Sequence, residues 1–405
     1  MLRDARGHHR VVVTGLGLVS PLGSDVDSFW KDVTSGVVAT GPVTRFGTEG
    51  YPTHLACEVS DPSLTEPGAP GDTRVPRSVR YTRHAVDAAL RDAGLCGHDA
   101  RLRTGIVLGT VMGTRPHLEE LRRQGTPIEG EPSWDAPQSL AREPAHRHGL
   151  RGPRHVVAAG CAAGNTAIAM AADHIRSGEA DAMVAGGVDE LSETVFQLFT
   201  TLRALAPDQV RPFDRNRRGM LPSEAAGCLV LESLEHATAR GADILAELPG
   251  YAVAADAHHM TAPHPQGVGM MRCMEASLAQ AGLAPRDVDY VSAHGTGTPA
   301  NDSLEADCIG RFFASDRGRP AVSSIKGMLG HAQGGASALE AIVCVLALRH
   351  GRVPGNPTLL DPDDSCAGLD VIRGPARDMP VHVTLSNAFG FGGSTSAVVL
   401  TTFTG

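Results

Sequence analysis

The 405-residue sequence predicts an α/β protein of five alternating layers, α-β-α-β-α, built by duplication of one unit. Two observations predict it. In the first, Ala89-Leu90-Arg91-Asp92-Ala93-Gly94-Leu95 precedes an apolar strand at residues 105–109 and a Gly/Thr turn. The same succession returns as Ser277-Leu278-Ala279-Gln280-Ala281-Gly282-Leu283, a strand at residues 290–293 and another Gly/Thr turn. In the second, residues 163–177 and 336–348 each follow a strand and a Gly-rich turn, with helical sequence small or apolar on more than one side. A helix without a broad polar face belongs between sheets, not on a surface. The repeat divides the chain at residues 1–240 and 241–405.

Residues 10–23 read as a strand entering a Gly/Ser/Pro turn. Gly15 and Gly17 begin a dinucleotide fingerprint, but Ser20 stands where its third glycine belongs, which argues against a nucleotide site. Residues 24–76 are loop-rich, with a short helix at 26–36. Residues 81–95 have helical periodicity, with Ala85, Ala88, Ala89 and Leu95 on one side and Gly94 as a stop. A buried strand at 104–110 leads into a polar excursion reaching residue 151, punctuated by Pro116, Pro127, Pro132, Pro137 and Pro144. That excursion reads as surface, with short helices and a place for a subunit contact. A strand at 155–160, the helix at 163–177 and a strand at 182–187 follow. Residues 197–219 read as an arginine-rich loop and 227–232 as a strand. The second half continues with a strand at 322–324, the helix at 336–348 and strands at 381–386 and 397–401. Leu339, Ile342, Val343 and Leu346 form one face of that helix, with Val345 and Leu348 opposite. Both central helices begin beside chemically suggestive residues, so their N-termini should converge.

Composition narrows the function. A formal charge of −9 argues against nucleic acid as the main partner. No apolar run approaches the roughly 18 residues of a membrane span. The eight cysteines are Cys57, Cys96, Cys161, Cys228, Cys273, Cys308, Cys344 and Cys366, none in a CxxC pair. They read as reduced thiols of a cytoplasmic protein, not as a disulfide frame or zinc site. His258, His259 and His264 share a loop without ligand spacing, so no metal is expected.

Four clusters could carry chemistry. Val156-Val157-Ala158-Ala159-Gly160-Cys161 brings a cysteine to a strand-to-helix turn, where helix N–H groups would favour a thiolate. A buried structural cysteine is the alternative. Ser292-Ala293-His294-Gly295-Thr296-Gly297-Thr298 places a histidine at a strand end among groups suited to a close ligand. Ser323-Ser324-Ile325-Lys326-Gly327-Met328-Leu329-Gly330-His331 holds one of only two lysines in the chain. Its S-x-x-K lacks the S-D-N and K-T-G companions of a β-lactamase-like site, and no phosphate-binding pattern supports a Schiff-base lysine. Asn387-Ala388-Phe389-Gly390-Phe391-Gly392-Gly393-Ser394 could form a moving gate or only a tight turn.

Together and in this order the clusters resemble the β-ketoacyl synthase (ketosynthase) family of fatty-acid and polyketide synthesis. The likeness extends from Val11-Val12-Val13-Thr14-Gly15-Leu16-Gly17 through Arg211-Pro212-Phe213-Asp214 to Phe389-Gly390-Phe391-Gly392-Gly393. It implies a duplicated thiolase-like fold, a dimer, and substrates carried on the phosphopantetheine of acyl carrier protein, with no other cofactor. Cys161 then matches the acyl-accepting nucleophile, and His294 and His331 the pair that handles malonyl decarboxylation. The N–H groups of Cys161 and Phe391 match an oxyanion hole, and Lys326 a lysine paired with Glu340. Thr296 and Thr298 match pantetheine contacts, Met112 and Phe199 the acyl-pocket wall, and Phe391 the gate. Asn387 and Phe389 are expected at the substrate, and Arg77, Arg80 and Arg203 at the carrier-docking surface.

Two departures bear on the pathway. The family usually has alanine before the nucleophile, where this chain has Gly160. Arg218-Gly219-Met220 and Pro222-Ser223-Glu224-Ala225-Ala226 replace the common Arg-Asp-Gly-Phe and Gly-Glu-Gly-Ala. These favour a ketosynthase subunit of a specialised type II polyketide or polyene pathway, as a homodimer or beside a chain-length-factor-like homologue. The alternatives are a housekeeping fatty-acid elongation synthase and a non-catalytic partner subunit. A thiolase fits less well, because it keeps a second catalytic cysteine in place of the histidine pair.

Overall fold

Residues 2–4, 6–65, 75–95, 103–125, 134, 136–314 and 319–405 are described by a computed structural model. Cys96, Pro127 and Pro132 lie outside the described residues. The first half runs β1 (Val11–Val19), α1 (Arg77–Asp92), β2 (Thr104–Gly109), β3 (Arg154–Val157), α2 (Ala163–Arg176), β4 (Ala182–Asp189), α3 (Glu193–Thr201) and β5 (Ala225–Ser233). The second runs β6 (Ala246–Ala255), α4 (Val268–Ala281), β7 (Tyr290–Ser292), α5 (Pro299–Phe312), β8 (Ala321–Ser323), α6 (Ala336–His350), β9 (Asp370–Val371), β10 (Val383–Phe389) and β11 (Ser394–Thr401). Short helices at Val26–Ser35, Arg115–Arg123 and Ser139–His148 decorate the first half.

Strand pairing makes the duplication explicit. The first half is ordered β1-β5-β4-β2-β3, antiparallel through β4 and parallel beyond it. The second is ordered β6-β11-β10-β7-β8, antiparallel through β10 and parallel beyond it. The half-sheets meet where Val12 pairs with Glu247 and Val13 with Ala246, giving one 11-stranded order closed by β9. A layer pattern alone suggests two separate sheets; here edge strands β1 and β6 satisfy each other's N–H and C=O groups instead.

Helices α2 and α6 pack against each other and touch strands of both half-sheets, while α1 and α4 cover the outer faces. All of residues 336–348 are buried, and only the last turn of α6 reaches solvent. Small residues in α2 let the layers close around it. Gly15 and Gly17 have a packing reason: a Cβ on them would fall 2.3 Å from the Ala89 carbonyl and 2.0 Å from that of Ala85, both on α1.

Several elements escaped the sequence reading, three of them substantial. Residues 193–201, partly assigned to a loop, form α3, started by Ser192, whose side chain accepts the Val195 N–H. Strand β6 runs through Pro249-Gly250, a dipeptide that reads as a turn. Helix α5 begins with Pro299 at its first position and carries few apolar residues. Among the described residues no helix is long and apolar enough to cross a membrane.

Candidate active site

Cys161 occupies the turn between β3 and α2, two residues before the helix begins. Gly160 takes the left-handed conformation there, with φ +55°. The thiol is buried, and burial pushes its pKa up to about 11. Lys326 and the nearby Phe391 N–H pull the other way, while Asp189 and Glu340 reinforce the rise. The expected thiolate is therefore corrected. Loss of hydration outweighs the helix terminus, and the resting sulfur carries its proton.

Both histidines arrive from the second half. The donor atoms of Cys161, His294 and His331 all lie within 4.8 Å of one another, and the two rings meet edge-on with centroids 5.3 Å apart. His294 caps β7, held by Glu305 of α5, which accepts the N–H groups of His294 at 2.7 Å and Gly295 at 2.8 Å. His331 is fixed by the unusual loop after Arg217: its N–H donates to the Leu221 carbonyl at 2.8 Å, and its carbonyl accepts from Ser223 at 3.1 Å. Neither ring nitrogen of His331 has a protein partner, which leaves both for a ligand.

Burial and then the Lys326 ammonium hold both imidazoles well below the usual histidine range, so both are neutral near pH 7. Lys326 Nζ lies 3.4 Å from His294 Nδ1 and is ion-paired with Glu340 on α6. A lysine donating to Nδ1 places the imidazole proton on Nε2, the nitrogen free to donate elsewhere. Burial, opposed by Lys326, raises the Glu340 carboxyl to about 7. By distance alone the thiol and imidazoles would also suit a soft metal ion, but the ammonium behind His294 disfavours a second cation there.

The cleft above these groups is walled by Phe199, Met220, Phe389 and Phe391, with Thr296 and Thr298 on its rim. The two threonine hydroxyls lie 2.9 Å apart. Phe391 is 41% exposed and its ring rests 5.7 Å from that of Phe199, so it stands at the mouth. Phe389 packs edge-on against His294 at 5.9 Å.

Other expected residues lie elsewhere. Met112 is half-buried in the apolar cluster behind Phe199 and does not line the cleft. Asn387 is completely buried within β10 and is likewise absent from the cleft wall, although alternation puts it on the same strand face as Phe389 two residues further on. Arg77 is an inward-facing residue, its guanidinium 3.3 Å from Glu190 and 3.6 Å from Glu224, so it cannot serve as a docking charge. Arg80 is half-buried on the same helix, whereas Arg203 is exposed beside Ala204 at the cleft wall.

Sequence reasoning missed the carboxylates that shape the backbone. Asp302 accepts the N–H groups of Phe213 at 2.8 Å and Gly297 at 3.1 Å. Asp189 accepts those of Val111, Met112 and Gly334, each at 2.8 Å, tying β2 to the start of α6. A signal existed for the first group: Asp302 and Glu305 are three residues apart, on one helical face directly after the His294 turn.

A buried thiol, two neutral imidazoles and a lysine–glutamate pair, gathered where duplicated α/β halves meet, define a thiol-dependent condensing acyltransferase of thiolase-like fold. The pattern "Beta-ketoacyl synthase, N-terminal domain" matches residues 8–237, and "Beta-ketoacyl synthase, C-terminal domain" matches residues 245–359. The chain belongs to the β-ketoacyl synthase family. It is 38% identical to a 3-oxoacyl-[acyl-carrier-protein] synthase 2 of Coxiella burnetii, over 96% of this chain and 98% of that protein. It is also 38% identical to a putative polyketide beta-ketoacyl synthase 1 of Streptomyces halstedii, over 97% and 98%. The solved ishigamide ketosynthase/chain length factor superposes with TM-score 0.89 at 37% identity, over 98% of this chain and all of the other.

Proposed function

We propose that the chain catalyses decarboxylative Claisen condensation on acyl-carrier-protein substrates, with Cys161 as nucleophile. The observation that carries this reading is the convergence of Cys161, His294 and His331 within 4.8 Å at the floor of a cleft between the two halves. The Cys161 proton passes to a neutral imidazole as sulfur attacks the incoming acyl thioester, and the carrier thiol leaves with a proton. The N–H groups of Cys161 and Phe391 hold the oxyanion of that addition. Malonyl carrier protein then loses carbon dioxide, and the electron pair of the broken C–C bond forms an enolate. His294 Nε2–H and an N–H of His331 donate to its oxygen, where charge develops most. The enolate carbon attacks the Cys161 thioester, the C–S bond breaks, and the sulfur is reprotonated. The extender's own carboxylate drives the step, so neither metal nor diffusible cofactor is required.

Lys326 and Glu340 serve as positioning residues, fixing the His294 tautomer. Thr296 and Thr298 take the pantetheine arm, and Phe199, Phe389 and Phe391 border the acyl chain. Carrier docking falls to Arg203, Arg80 and the exposed Arg218, with Arg77 withdrawn. The nucleophile half spans residues 1–240 and the His/His/Lys half 241–405. The pathway is a specialised type II polyketide or polyene synthesis in the cytoplasm. The working unit is a dimer, of two copies or with a chain-length-factor-like homologue; the half-exposed edge strand β3 and the ketosynthase/chain length factor relative support that reading.

Purified protein, alone and with candidate partners, is to be incubated with acyl carrier protein and malonyl carrier protein. Acylation at Cys161 followed by two-carbon extension is expected. His331→Ala should retain acylation and lose decarboxylation. Full condensation by Cys161→Ala would overturn the assignment.

A further inference from the structure

A glycine stands directly before Cys161, and its surroundings give it a role. A Cβ at Gly160 would lie 3.2 Å from the Phe391 carbonyl oxygen and 3.8 Å from the Gly390 Cα. From the opposite side, a Cβ at Gly390 would lie 2.9 Å from the Cys161 nitrogen and 3.5 Å from the Ala159 carbonyl. The nucleophile turn and the gate thus meet backbone on backbone. The gate is pinned around this contact. Gly390 donates to the Ser394 carbonyl at 2.7 Å, Gly392 to that of Met260 at 2.7 Å, and Gly393 accepts from Asp256 at 2.8 Å. Phe391 lies between the pins, in the same cleft as Cys161, and its N–H is one of the groups that favour the thiolate.

We infer that Gly160 is a positioning residue that seats the gate: without a side chain there, the Phe391 backbone rests on the nucleophile turn and its N–H stays aligned with Cys161. The inference rests on the proposed roles of Cys161 and the Phe391 N–H. An alanine at 160 would fall inside ordinary contact distance of the Phe391 carbonyl and lift the gate by a few tenths of an ångström, moving the N–H relative to Cys161.

The test compares Gly160→Ala with Gly390→Ala. Position 160 has φ +55°, so alanine there also strains the turn. Position 390 has φ −118°, ordinary extended backbone, so alanine there disturbs the seat without strain. Acyl transfer from carrier protein to Cys161, carrier-protein Kd and iodoacetamide alkylation of Cys161 are measured for each. Both variants should lose about tenfold in acyl-transfer rate, a fraction of what losing an oxyanion donor costs. Alkylation should slow as well, while Kd stays within about twofold of wild type, since a Cβ at neither position meets a docking arginine. Unchanged acyl transfer in both variants would overturn the inference. A loss confined to Gly160→Ala would also overturn it, because turn strain would then suffice. Absence of Cys161 acylation in the wild type would instead overturn the proposed function.

Discussion

Alkylation of Cys161 across pH tests how the nucleophile is activated. Burial lifts the thiol from an ordinary 9.0 to about 11, which corresponds to about 3 kcal/mol against the thiolate. At pH 7 about one molecule in ten thousand then carries thiolate, against about one in a hundred for an unperturbed thiol. A more basic thiolate is intrinsically more nucleophilic and recovers about tenfold, so the net rate at neutral pH is about tenfold below that of a free cysteine. Iodoacetamide incorporation, read by peptide mass spectrometry, should rise about tenfold per pH unit from about pH 7 to about pH 10 without levelling. Lys326→Met removes the largest influence favouring the thiolate, so the thiol rises further and the rate at any one pH falls. A plateau below about pH 8 would refute the reasoning. It would mean that the helix terminus or an imidazole already holds the thiolate, and the neutral-imidazole proton acceptor would fall with it.

Three further outcomes follow from the same geometry. Leu339→Ala, fully buried in α6, should destabilise the protein by about 3 kcal/mol in denaturant unfolding, while Leu339→Met should cost less than about 1.5 kcal/mol; equal effects would contradict sandwiched packing. Phe199→Ala removes the ring that meets Phe391 and should shift products toward longer chains by mass spectrometry, at a stability cost of about 3–5 kcal/mol. An unchanged product profile would remove Phe199 from the acyl wall. Arg203→Glu should raise KM for carrier-borne substrate about tenfold and leave turnover of a small soluble thioester unchanged. Equal loss on both substrates would point to local misfolding instead of docking.

Cys161 shows how far linear sequence reaches. Cys161 stood out because strand, turn and helix are local patterns, and its partners stood out because His294 and His331 sit in motifs that recur in family order. Periodicity likewise exposed α2 and α6, since a helix with no polar face has only the interior to occupy. The protonation state of the thiol was not legible, because it depends on how much water two distant halves exclude. Nor was the orientation of Arg77, which reads as a surface charge until Glu190 and Glu224 fold beneath it.

The sequence by itself determined the duplicated layers and the family, and it singled out the candidate reacting groups. These rest on local periodicity and motifs, which need no knowledge of distant contacts. Only the tertiary structure decided that the half-sheets join through β1 and β6, that Asn387 and Met112 stand off the cleft, and that Asp189, Asp302 and Glu305 hold its backbone. It also gave Gly160 a neighbour in the Gly390-Phe391 backbone, 230 residues further along the chain from Gly160 to Gly390. Burial, register and backbone contact depend on which segments meet, and that choice is made by the whole chain packing at once.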